Sequence, residues 1–156
     1  MAVTASAGKL EACRALGAVA IERSPSDWLA EVKAWAPEGV DVVLDVVGEL
    51  DRNIAAIRVG GTVVQVGTMA GGKVEFALGA MLPKRARLIG TVLRARPLEE
   101  KIAISTRFAA ELAPLFETGA LRPIIDSRFG FDQMADAHRL MESNANVGKI
   151  VIDIGG

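Results

Sequence analysis

Three side chains near the amino terminus, Ser6, Lys9 and Arg23, combine a hydroxyl with two cations, and no carboxylate precedes Glu11. Such a set suits a phosphate group, since a hydroxyl shares a hydrogen bond while cations balance charge. Lysine and arginine are equally ordinary as solvated surface residues, so the set acquires meaning only from its placement. Small residues also recur after apolar runs, at Val47-Gly48, at Gly67-Thr68 and just before Leu93-Arg94. Each glycine alone reads as a turn. As a series closing successive strands they let a flat ligand approach the backbone.

Other chemistries lack their residues. His138, the single histidine, shares a helical stripe with Met134 and Met141 and reads as packed or half-buried structure. Cys13, the single cysteine, falls on another stripe and reads as a small core residue. One of each cannot build a zinc site of the common type, so no metal is expected in this chain. Neither a Gly-x-Ser-x-Gly elbow nor a Walker-type loop is present. Asp41 and Asp45 bracket an apolar strand and read as strand-end polar residues rather than an acid/base pair. The run Lys84-Arg85-Ala86-Arg87 reads as a solvated connection, and no catalytic residue stands out.

The elements that must position these groups alternate in type. Val3 to Ala5 is a short apolar piece, followed by a helix with Leu10, Cys13 and Leu16 on one stripe, closed by Gly17. Val19-Ala20-Ile21 is a second strand. Ser26 suits the N-cap of a helix carrying Trp28, Val32 and Trp35, stopped by Pro37. Residues 41–47 form a β-branched run suited to burial on both faces. Leu50, Ile54 and Ile57 mark a helix ending at Gly60-Gly61, and residues 62–66 another buried strand. Residues 88–93 predict a further strand. Ile104, Phe108, Leu112 and Leu115 predict a long helix kinked at Pro114. Residues 121–125 read as a strand or an extended connection. Asp132 then caps a last helix, and residues 149–154 close the chain as a strand.

Strands alternating with helices imply an α/β fold with a parallel, doubly wound sheet. At 156 residues, with Pro and Gly spread evenly, the chain reads as a single domain, 1–156. A composition 51% hydrophobic with net charge −1 lacks the polybasic signature of nucleic-acid or membrane binding. No apolar run reaches the length of a membrane span, and a lone cysteine fits a reducing, cytoplasmic setting. In doubly wound sheets ligands bind beyond the carboxyl ends of the strands, where an acid selects a ribose 2′-hydroxyl and cations a 2′-phosphate. Ser6, Lys9 and Arg23 at such ends therefore point to NADPH over NADH.

Ser6-Ala-Gly-Lys-Leu-Glu-Ala-Cys-Arg-Ala-Leu-Gly-Ala18 resembles the segment after the second strand in medium-chain dehydrogenases/reductases. Residues 40–48 and 60–67 are similar to that superfamily's fourth and fifth strands, and residues 137–151 to its last helix and strand. Residues 89–94 and that tail look most like the zinc-independent quinone oxidoreductase (zeta-crystallin-like) branch. The resemblance implies a Rossmann-like cofactor domain lacking its first strand and glycine-rich turn, with the GroES-like catalytic domain and any zinc ligands upstream. It implies an NADPH-dependent reductase moving hydride to a quinone or activated alkene, a substrate engaged only with that missing domain; the alternatives are an enoyl reductase or alcohol dehydrogenase of the same superfamily, or a non-catalytic nucleotide-binding or dimerisation module. By the same resemblance Ser6 and Lys9 contact the 2′-phosphate, and Val47 and Gly48 line the adenosine. Gly67, Val92 and Leu93 line the nicotinamide side, and Asn146 hydrogen-bonds the cofactor. Arg23 stands where many members carry tyrosine, and Thr68 follows Gly67 at the crevice. Without the first strand, the strands flanking its place have open edges, to be closed by direct pairing, by another chain or by missing sequence. The isolated chain is expected to bind NADPH weakly or not at all and to show no turnover. Strand 88–93 is expected to support a homodimer through its edge.

Overall fold

The computed structural model describes residues 1–4, 6–23 and 27–155, and the chain divides into two units, Met1–Pro97 and Leu98–Gly156. In the first unit, β1 (Ala2–Thr4) and β2 (Ala20–Glu22) pair in parallel through the crossover helix α1 (Ala7–Ala15). Helix α2 (Trp28–Trp35) leads to β3 (Val40–Asp45), α3 (Leu50–Ala56) and β4 (Ile57–Gln65). A 3₁₀ turn, Leu78–Ala80, and α4 (Met81–Lys84) precede β5 (Arg87–Gly90). Strands β3, β4 and β5 form one parallel sheet in that order. The alternation read from the sequence therefore gives parallel pairing, as right-handed crossovers require.

Two buried clusters hold this unit. Ile21, Trp28, Val32 and Ala56 pack with Leu29, Val40 and Val43; Leu50, Ile54, Ile57 and Val63 pack with Phe76 and Met81. Both lie on the helical side of β3, so that strand is covered on one face only. Val42 is 57% and Leu44 70% exposed, against the expected burial on both faces. Alternation of side chains along a strand puts these two opposite Val43 and Asp45. Among the described residues β1 and β3 are not hydrogen-bonded to each other as neighbouring strands. A groove of about 690 Å³ runs there instead, with Met1 and Val3 on one side and Val40 to Val47 on the other.

Several element ends differ from the sequence reading, each for a local reason. Leu10 is buried on α1, but Cys13 is half-buried and Leu16 exposed, because the short β1–β2 pair covers little of that helix. Ser26 lies outside the described residues; Asp27 occupies the N-cap of α2 and accepts from Leu29 N at 3.3 Å. Trp35 is exposed at the far end of that helix. Helix α3 stops at Ala56, and fully buried Ile57 begins β4. Gly60-Gly61 then lie inside that strand at a bulge, where the register moves from Val40 opposite Ile57 to Val42 opposite Thr62. Strand β5 ends at Gly90 because its partner runs out at Gln65.

Lys84 is no solvated connection. Its Nζ donates to Ala55 O at 2.8 Å and to Ile57 O, two carbonyls at the end of α3. Burial, helped by the charge of Lys33, lowers its pKa. Lys84→Met is expected to leave these carbonyls without their donor and to cost about 1–2 kcal/mol in urea denaturation. An unchanged midpoint would show that the ammonium contributes nothing.

In the second unit, α5 (Leu98–Glu111) and α6 (Ala113–Glu117) replace the single kinked helix: Pro114 sits in the first turn of α6, where its missing N–H is harmless. Their shared apolar face is half-exposed, with the Phe108 and Phe116 rings 6.2 Å apart. Strand β6 (Ile125–Gly130) starts where the sequence reading ended its strand, and pairs in parallel with β7 (Lys149–Asp153). Between them lies α7 (Met134–Glu142), preceded by the 3₁₀ turn Phe131–Gln133. Gln133 rather than Asp132 closes its entry, accepting from Gly130 N at 3.0 Å. Ala137 is the buried residue of α7, and His138 is exposed rather than packed. Among the described residues no helix is long and apolar enough to cross a membrane.

Candidate functional site

The carboxyl end of β3 is organised by one carboxylate. Asp45, 7% exposed, accepts from Val47 N at 2.6 Å, Gly48 N at 2.9 Å and Asn53 Nδ2 at 2.8 Å. It thus ties the strand end, the following turn and α3 together. Asp41, four residues earlier, points to solvent and pairs with Arg58, so the two aspartates share no site. Both are polar strand residues, and Asp45 is the one that holds the loop carrying Val47 and Gly48.

The turn after β4 locks against the same loop. Val66 N donates to Asp45 O, Met69 N to Val46 O and Ala70 N to Val47 O, at 2.8, 3.1 and 3.0 Å. Gln65 Nε2 reaches Asp45 O and Gly67 O. Gly67 makes the approach possible, because a Cβ there would lie 3.1 Å from Val46 O. Val47, Gly48, Gly67 and Thr68 are therefore brought together. Thr91 N bonds Gln65 O at 3.0 Å, and Val92 and Leu93 follow as exposed residues beyond β5.

At the other sheet, Arg23 N donates to Thr4 O at 2.7 Å, which sets the ends of β1 and β2 side by side. Ser6 takes the N-cap position of α1, but its hydroxyl does not cap the helix. The first turn of α1 carries no acid and includes half-buried Lys9. A helix start of this kind favours an anion through its open N–H groups and dipole. The Arg23 guanidinium, however, turns to Glu49, donating from Nε at 2.9 Å and from Nη2. Trp28 Nε1 donates to the other oxygen of Glu49 at 2.9 Å. Arg23 and Val47 line the groove between β1 and β3; Ser6, Lys9, Gly48, Gly67 and Thr68 do not. Asn146 belongs to the second unit, where its Nδ2 donates to Gly148 O at 2.8 Å beside the turn leading to β7.

Glu49, Trp28 and Asn53 escaped the sequence reading as site residues. Trp28 reads as helix core, and Glu49 follows a glycine with no pattern of its own. The available signal was an acid directly after a strand-end glycine, four residues beyond Asp45. Among the described residues, no three His, Cys, Asp or Glu side chains gather as a metal site.

Residues 16–152 match a family model described as zinc-binding dehydrogenase. The chain is 31% identical over 159 residues to the NADPH-dependent alkenal/one oxidoreductase, chloroplastic, of Arabidopsis thaliana, covering 97% of this chain and 33% of that protein. It is 25% identical over 130 residues to the quinone oxidoreductase of Homo sapiens, covering 81% and 38% of the two. The structure of an alcohol dehydrogenase from Thermus sp. ATN1 superposes with a TM-score of 0.80 at 21% identity, over 99% of this chain and 44% of that one. At that identity the likeness establishes the fold alone. The chain spans between a third and a half of the length of these relatives.

Proposed function

Because the chain belongs to the zinc-binding dehydrogenase family of medium-chain dehydrogenases/reductases, as the Rossmann-like cofactor-binding half, we propose that it binds NADPH for hydride transfer to a quinone or activated alkene. The observation that carries this reading is the interlocked pair of strand-end turns, Val47-Gly48 against Gly67-Thr68, at the carboxyl ends of parallel strands. When bound, the nicotinamide supplies the hydride, and the role of this chain is to orient it. Ser6 and Lys9 at the start of α1 meet the 2′-phosphate. Val47 and Gly48 face the adenosine; Gly67, Thr68, Val92 and Leu93 face the nicotinamide side. The relative named for alkenals and the one named for quinones support an electron-poor acceptor. The open edge of β5, with half-exposed Leu88 and Ile89, offers a second copy its place.

The family description names zinc, and the donors present do not fit it. Among the described residues, no three His, Cys, Asp or Glu side chains gather around Cys13 or His138. No step is assigned to a metal.

Titration of the 156-residue chain with NADPH, followed by amide chemical shifts, tests the reading. Weak binding, well above the low-micromolar range, is expected, with shifts confined to the strand-end residues and no turnover of a quinone. Low-micromolar affinity would overturn the expectation of weak binding. Shifts scattered away from the strand ends, or none at millimolar cofactor, would overturn the site.

A further inference from the structure

The cation best placed at the end of β2 is already engaged. Glu49 takes two hydrogen bonds from Arg23 and one from the Trp28 indole, so both of its carboxylate oxygens are occupied. The geometry is held from behind. Trp28 opens α2 and is buried, so its N–H cannot follow a displaced carboxylate, and Arg52 stacks 5.4 Å from its ring while pairing with Asp27. Burial pushes the Glu49 carboxyl upward, but hydrogen bonds from Arg23 and Trp28 and the charges of Arg23 and Arg52 outweigh it and hold it below its ordinary value. It therefore stays ionised at neutral pH. The side chains of Arg23 and Glu49 are 41% and 25% exposed, and both line the groove that also reaches Val47. A ligand arriving over the strand ends meets the pair, not a bare arginine.

We propose that Glu49 is a specificity-determining residue that opposes Arg23, weakening the preference for a 2′-phosphate that Ser6, Lys9 and Arg23 would otherwise create. This rests on the cofactor reading above. A 2′-phosphate that engages Arg23 must either pull it from its partner or sit beside an ionised carboxylate, at an expected cost of about ten-fold in affinity. A ribose 2′-hydroxyl is uncharged and meets no such penalty. Glu49 thus narrows the gap between phosphorylated and unphosphorylated cofactors.

The test uses the full 156-residue chain and two probes, adenosine 2′,5′-bisphosphate and adenosine 5′-monophosphate, titrated by amide shifts. Glu49→Gln keeps the shape and an oxygen for Trp28. It is expected to raise affinity for the bisphosphate about ten-fold while changing that for the monophosphate less than about two-fold. Arg23→Gln in the Glu49→Gln background is expected to erase the gain, because the freed guanidinium is what the phosphate would then meet. An equal gain for both probes, or a gain that survives Arg23→Gln in the Glu49→Gln background, overturns the assignment of Glu49. If both probes bind and their ratio stays unchanged, only this inference fails. If neither binds any of the proteins, the cofactor reading fails with it.

Discussion

Replacing Gly39 with alanine is expected to destabilise the first unit by about 2–4 kcal/mol in chemical denaturation. Gly39 has φ +90, and a Cβ there would lie 2.5 Å from Arg58 N, 2.6 Å from Ile57 C and 2.8 Å from Ala56 O. All three are backbone atoms of the α3–β4 junction. That junction cannot retreat, because Ile57 is 0% exposed and packs among Leu50, Ile54 and Val63. Left-handed strain alone accounts for about 1–2 kcal/mol, and the collision adds overpacking of similar size. Gly17→Ala separates the two contributions, since Gly17 has φ +87 but nothing within 4 Å of a Cβ. Its expected cost is the strain alone. Equal losses for the two variants would mean that the collision relaxes at no cost.

Asp45→Ala should cost about 3 kcal/mol, and should loosen the candidate crevice as well. The carboxylate satisfies Val47 N, Gly48 N and Asn53 Nδ2 within a nearly closed site. Hydrogen bonds to an ionised group are worth about 1.5–3 kcal/mol each, partly recovered when water replaces the lost acceptor. Asn53→Ala, which leaves the carboxylate both backbone donors, should cost less than half as much. Amide hydrogen exchange at Val47 and Gly48 should accelerate in Asp45→Ala more than the global loss explains. Exchange slowed or unchanged there, with a stability loss below about 1 kcal/mol, would show that the turn holds without Asp45.

Cofactor affinity should follow the same turn. Because Val46 and Val47 carbonyls accept from Met69 and Ala70, displacement after β3 carries the turn after β4 with it. The proposed adenosine and nicotinamide sides are thus mechanically linked through Asp45.

The α/β alternation, the parallel pairing and the glycine-bearing strand ends were legible in the chain itself. Strand and helix periods, proline stops and strand-end glycines are local signals, set by neighbours within a few residues. So Gly48 and Gly67 mark the loops that fold together, whereas Pro114, read as a kink within one helix, falls in the first turn of a second one. What no local signal carries is which groups meet across the fold. The pairing of Arg23 with Glu49, 26 residues apart, exists only because β2, β3 and α2 converge. The exposure of Val42 and Leu44 depends equally on what stands beside β3, since a β-branched run looks alike whether one face is covered or two. Lys84 reads as surface charge until the end of α3 arrives beside it. Residue types and their spacing determined the elements and their order. Only the tertiary structure decided which charges are spent on one another, because electrostatic pairing and burial are set by distances between segments that the chain order leaves open.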